Sequence, residues 1–184
     1  LSAFTYDFKP TDDQRKMIVT QARHTWTNAK AAIRYPDVKH YPVSARQGFE
    51  FLRDVMWDKK FGGYFTMVSR DGRVEDPQKT AYGNAFAIYA LAAYYNQSGD
   101  TSALRLMKES FQWLEDHSHD QELGGYFQHL SQEGIVLKRT PSTPSTSDLG
   151  YKDQNSSIHL LEAFTELYQV WRDPLVRERL EEML

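Results

Sequence analysis

The chain contains a copy of part of itself. Residues 51–75, FLRDVMWDKKFGGYFTMVSRDGRVE, align without gaps on residues 113–137, WLEDHSHDQELGGYFQHLSQEGIVL, at an offset of 62. Ten of the twenty-five positions are identical, including Asp58/Asp120, Gly62-Gly63-Tyr64-Phe65 against Gly124-Gly125-Tyr126-Phe127, Ser69/Ser131 and Gly72/Gly134. Self-similarity at a long fixed period marks a chain built from supersecondary units that bury their apolar faces only against their neighbours. Each copy reads as the end of a helix, a Gly-Gly turn, a strand such as 64–69, an Asp-Gly or Glu-Gly hairpin turn, and a short return strand. Asp71-Gly72 is a strong hairpin dipeptide because glycine accepts positive φ.

Helical patterns lie between the hairpins, expected at about 11–33, 43–56, 80–95, 102–116, 154–171 and 174–184. The first opens on Thr11-Asp12-Asp13-Gln14, which has capping-box spacing, and Pro174 suits the first turn of the last. Leu104, Met107, Phe111 and Leu114 form one apolar stripe, whereas the 80–95 segment is apolar nearly all round. Three helix pairs therefore follow one another. In each, the first member is rich in aromatic and small residues and the second is amphipathic. A helix apolar on all sides must be covered, while an amphipathic one faces water. Alternating inner and outer helices predict an all-α fold, an (α/α) toroid with short β-hairpins between pairs. Residues 1–184 are read as one partial toroid domain. The period exceeds the roughly 34–47 residues of common helical repeats by the length of a hairpin. The Thr140–Ser147 insert is expected to be an exposed, mobile loop.

Composition narrows the function classes. With 22 Lys+Arg against 25 Asp+Glu the net charge is −3, and the signs are scattered, so a nucleic-acid surface is not expected. The absence of cysteine removes disulfides and Cys-ligated metal clusters. The longest apolar run, 85–95, is about half a membrane span, so no membrane segment is expected. The chain opens on Leu1, which fits a processed N-terminus, and a cytoplasmic location is the expectation. No phosphate-binding glycine loop, nucleophile elbow or HExxH motif occurs.

Polar residues on the inner helices are the site candidates. Aligning those helices by their ends brings Arg23, Tyr82–Asn84 and Asn155–His159 to similar levels. Asn155 and His159 are four apart and share a face. Aromatic faces, amides and a guanidinium fork are suitable chemistry for a neutral polyol. Each residue also has a plainer reading: Arg23 paired with a carboxylate of a neighbouring helix, Tyr82 in the core, His159 as a satisfied core histidine. His117-Ser118-His119-Asp120 has a metal-like look, but its repeat equivalent lacks histidines, so it is read as a surface loop and no metal site is assigned. Asp58 and Asp120 recur before the Gly-Gly turns and are expected to brace the hairpins.

Three segments resemble a known family. QARHTWT (21–27), KTAYGNAFAIYAL (79–91) and above all NSSIHLLEAFTELY (155–168) are similar to the inner helices of N-acylglucosamine 2-epimerases and cellobiose 2-epimerases. The last matches that family's Asn-x-x-x-His-[LV]-Leu-Glu-Ala-[YF]-Thr-x-Leu-Tyr segment. The family often has a second histidine two residues before the one matching His159, where this chain has Ser157. The resemblance implies an (α/α)6 barrel that inverts C2 of an aldose or interconverts aldose and ketose through an enediolate, with no cofactor. It implies that Arg23 serves near the enediolate oxygens and that Tyr82 and Asn155 bind hydroxyls. His159 would assist ring opening or hold the sugar. Such chemistry needs acid/base groups with pKa near working pH and a donor at the developing oxyanion.

Family members are about twice this length, and the resemblance places their acid/base histidine pair in the half that follows. The chain thus reads as the front half of a barrel, supplying substrate-binding groups without that pair. Its open flanks, helices 11–33 and 154–171, are expected to form an apolar edge that invites self-association. The small-molecule partner is a mono- or disaccharide. Two other classes stay open: a glycoside hydrolase on the same toroid, which needs paired carboxylates, and a non-catalytic carbohydrate-binding or scaffold module.

Overall fold

A computed structural model describes residues 3–184. Strand β1 (Lys16–Met17) leads into helix α1 (Ile18–Arg34), followed by α2 (His40–Phe51), which ends in a π-helical turn (Leu52–Met56). Strands β2 (Met67–Val68), β3 (Val74–Asp76) and β4 (Lys79–Thr80) come next, then α3 (Ala81–Ser98) and α4 (Thr101–His117). Strand β5 (His129–Leu130), α5 (Gln154–Val170) and α6 (Pro174–Glu182) complete the order. Helix α3 packs against α1 on one side and α5 on the other, while α2, α4 and α6 back α1, α3 and α5. These are three inner–outer helix pairs arranged as in an (α/α) toroid, and α3 is buried around most of its circumference because it is covered by its neighbours on both sides and behind.

Short side chains start the helices at the expected places. Thr80 accepts from the Gly83 amide at 2.9 Å, and Asp100, Asp153 and Asp173 accept from the amides of Ser102, Ser156 and Leu175. Gly99, at φ 69°, ends α3 in the left-handed region that glycine occupies without strain. Two starts differ from expectation. Thr11 is not the cap of α1, because residues 16–17 are drawn into a strand pairing with Met67–Val68 and the helix begins only at Ile18. Helix α2 begins at His40, before Pro42, since a proline in the first turn removes an amide that has no helical partner.

The repeat is also a repeat of hydrogen bonding. Strand β1 pairs with β2 and β4 with β5, so α1 and α3 are each anchored at their start to the hairpin that follows their own outer helix. Ile18 donates to the Thr66 carbonyl and Ala81 to the Gln128 carbonyl. Thr66 in turn donates to Gln78 and Gln128 to Tyr151, stitching each hairpin to the next unit. Asp58 and Asp120 brace the Gly-Gly turns. One oxygen of Asp58 accepts from the amides of Lys60 and Phe61, and one of Asp120 from those of Glu122 and Leu123. The other oxygen takes a lysine that stands two residues before the next inner helix: Lys79 at 3.0 Å from Asp58, Lys152 at 2.6 Å from Asp120. Lys79 is wholly buried, and it also donates to the carbonyls of Gly62 and Gln132.

Lys152, the Glu122 amide and the Leu123 amide hold the Asp120 carboxyl down at about 2, against an ordinary value of 3.8. Its stabilisation is therefore complete above about pH 4 and lost as pH falls toward about 2, because the unfolded chain takes up the proton first. Asp120→Asn is expected to flatten the fall in stability across that window in urea titrations at stepped pH. Parallel wild-type and variant curves would show that Asp120 adds nothing there.

Three expectations are corrected by the structure. His117–Asp120 is not a surface loop: Ser118 is buried, and the His119 side chain is only 4 % exposed, packed beside Tyr126 and reaching Glu182 of α6. The end of α4 is covered because α6 folds back over it. The open flanks are not apolar edges either. The exposed positions of α1 include Thr20, Arg23, Thr27 and Arg34, and those of α5 include Gln154, Asn155, Glu162, Thr165 and Gln169. Ile33 and Ile158 are the large apolar side chains exposed on those helices. Finally, Asn84 is spent inside the fold, donating to the Thr80 carbonyl and accepting from the Tyr64 amide, so it does not face the sugar-site candidates.

Candidate active site

The inner helices are in register from their first residues. Arg23, Phe86 and His159 are each the sixth residue of α1, α3 and α5. Phe86 is the hub where they meet. The Arg23 guanidinium lies 5.1 Å from the centre of the Phe86 ring, and the His159 ring lies 4.6 Å from it at 42°. Tyr82, one turn earlier on α3, packs edge-on against both, 5.0 Å from Phe86 and 5.1 Å from His159. Edge-to-face and cation–ring contacts at these separations are attractive and directional. Among the described residues Arg23 forms no ion pair, so its charge is held in place by an aromatic face and not by a carboxylate.

A second layer lies one turn deeper. Trp26, Tyr89 and Glu162 are each the ninth residue of their helices. Trp26 and Tyr89 stack at 4.8 Å with planes 13° apart. Burial first, then the charges of Glu166 and Glu162, push the Tyr89 hydroxyl up to about 12, so it is a hydrogen-bonding phenol at neutral pH. A third layer holds the pair Lys30–Glu166 at 2.7 Å, which joins α1 directly to α5. At that level α3 carries the buried Ala93, whose single methyl leaves room for the bridge.

The structure thus brings Arg23, Tyr82 and His159 together. Asn155 stands outside this cluster, exposed in the first turn of α5, one turn before His159 on the same face. Phe86 and Tyr89 were not singled out as site groups in the sequence, although a signal existed. Residues 23/26/30, 82/86/89 and 159/162/166 repeat the same three-or-four spacing, one stripe per helix. Read together, those stripes define one face of each helix and point to a shared axis.

With this geometry in view, comparison with known proteins is decisive. The family model for N-acylglucosamine 2-epimerase (GlcNAc 2-epimerase) matches residues 2–184. The chain belongs to the N-acylglucosamine 2-epimerase family. It is 30 % identical to the cellobiose 2-epimerase of Bacteroides fragilis over 92 % of this chain and 43 % of that protein. Similarity to the D-mannose isomerase of Thermobifida fusca is lower, 26 % over 86 % of this chain and 37 % of that one. Among solved structures, cellobiose 2-epimerase from Spirochaeta thermophila superposes with a TM-score of 0.89 at 33 % identity, covering 99 % of this chain and 45 % of that chain. The epimerase-family chain therefore spans less than half the length of these relatives, and its three helix pairs correspond to about half of their barrel.

Proposed function

We propose that this chain provides the substrate-binding half of a sugar 2-epimerase or aldose–ketose isomerase. The meeting of Arg23, Tyr82 and His159 around Phe86, in a chain matching the family over 2–184, carries this reading. Proton removal from C2 places negative charge on the oxygens of an enediolate. A guanidinium seated on a ring face is already oriented to meet that charge, with little reorganisation during reaction. The Tyr82 phenol and the Asn155 amide would hold hydroxyls, and the half-buried His159 would help open the sugar ring by moving a hydroxyl proton. The aromatic faces of the layer below favour the C–H side of a pyranose.

A glycosidase on this half-barrel is less well supported. It needs two carboxylates flanking a glycosidic bond. The axial carboxylates here, Glu162 and Glu166, lie four residues apart on one helix, and their partners are His159 and Lys30.

Incubation in heavy water with cellobiose, mannose or N-acetylglucosamine tests the reading, using this chain and a six-pair barrel that carries it. Sugar binding by the chain and deuterium incorporation at C2 by the barrel are the expected results. Glycosidic cleavage, or binding without exchange by the barrel, would overturn the assignment.

A further inference from the structure

His159 is held by something other than ring packing. Its Nδ1 lies 2.8 Å from a Glu162 carboxylate oxygen, one turn along the same face of α5. The imidazole is 19 % exposed and is wedged between the ring of Phe86 and the edge of Tyr82. An ionised carboxylate only accepts hydrogen bonds, so a proton on Nδ1 is what this contact requires. With Nδ1 protonated, a neutral imidazole carries its lone pair on Nε2. The flanking rings resist the flip that would exchange the two sides of the imidazole. Glu166, one turn further on, is already neutralised by Lys30, whereas the charge of Glu162 is turned to His159.

We infer that Glu162 is a positioning residue for His159, fixing the Nδ1–H form and thereby offering Nε2 as the proton acceptor to the sugar. This rests on the functional reading above for the identity of the ligand, but the tautomer itself is set by the protein alone. The motif that carries the histidine thus carries its orienting group three residues later, and the second layer of the site acts on the first through that bond. Nε2 takes the proton of the anomeric hydroxyl, the freed O–H pair becomes the C1=O1 bond as the C1–O5 bond breaks, and the imidazolium, its charge stabilised by Glu162, gives that proton to the ring oxygen; ring closure runs the same steps in reverse.

Nitrogen-15 spectra of histidine-labelled chain, recorded without sugar at a pH where the ring is neutral, test this directly. His159→Gln identifies the His159 signals among the six histidines. The wild type is expected to show a protonated Nδ1 and an unprotonated Nε2. Glu162→Gln, whose amide oxygen still accepts, is expected to keep that pattern, and Glu162→Ala to move toward the Nε2–H form that free imidazole favours. An Nε2–H signal in the wild type, or an unchanged pattern in Glu162→Ala, would overturn the inference. If Glu162→Ala loses its helical circular dichroism, the wild-type and Glu162→Gln spectra decide. In the six-pair barrel, Glu162→Ala is expected to lower kcat by about 10–100-fold with Glu162→Gln recovering most of it, the usual size of an orienting contact. Because the spectra need no sugar, absence of C2 exchange would overturn the functional reading and leave the tautomer assignment in place.

Discussion

Lys79→Met is expected to lower the unfolding free energy by about 3–5 kcal/mol, read from urea denaturation followed by circular dichroism. The Lys79 side chain is inaccessible and Asp58 is 3 % exposed, so removing the ammonium strands a carboxylate that water cannot reach. Burial works against that carboxylate. The Lys60 amide, Gln132, Lys79 and the Phe61 amide together still hold it below the ordinary range. Two carbonyls, of Gly62 and Gln132, lose their donor in the same step, and the Trp113 ring loses a cation 5.4 Å from its centre. The equivalent pair in the second copy supplies the control. Lys152 and Asp120 keep side-chain exposures of 27 % and 14 %, so water screens the pair and Lys152→Met is expected to cost clearly less than Lys79→Met. Equal losses at the two sites would show that burial is not what separates them.

Arg23→Ala is expected to lower C2 exchange by about 10²–10³-fold in a six-pair barrel carrying this chain, the range found when one oxyanion donor is removed. The fold is expected to survive. Arg23 is exposed, and its described contact is the Phe86 face, so truncation leaves no buried charge behind. Exchange rate and melting curve should therefore separate cleanly, with the first collapsing and the second nearly unmoved. Turnover within a few-fold of the parent would remove Arg23 from the reaction. A large loss of stability would instead assign it to packing. Lysine is a poor replacement, because a compact ammonium has neither the flat surface that rests on Phe86 nor the two-pronged donor set.

Much of the fold was legible because its signals are local. The Asp58-to-Gly72 pattern and its copy 62 residues later announced the hairpins, and Asp100, Asp153, Asp173 and Thr80 stand where caps must stand. The lysine braces were hidden by an insertion. At the offset of 62, Lys79 falls on Pro141, inside the Thr140–Ser147 segment, so its true counterpart Lys152 is displaced from the repeat. That segment wraps on Arg139, which donates to the carbonyls of Ser147 and Pro144. At the N-terminus a capping signal at Thr11 lost to strand pairing, since a ladder to β2 satisfies backbone groups that a longer helix would have satisfied alone.

The site divides in the same way. Aligning inner helices by their ends placed Tyr82–Asn84 level with Arg23, whereas counting from the observed starts places Phe86 there. The error is two to four residues, about half a turn to one turn, and it matters because it hid the residue on which the others converge. By itself the amino-acid order determined the units, their helical periods and the residue types carried on each inner stripe, since these depend only on neighbours three or four positions away. Tertiary structure alone decided which stripes face one another, that Asn84 turns to the hairpin while Phe86 turns to Arg23 and His159, and that Lys79 is sealed from water. Those outcomes depend on the register and burial of helices distant in the chain, which no local spacing encodes.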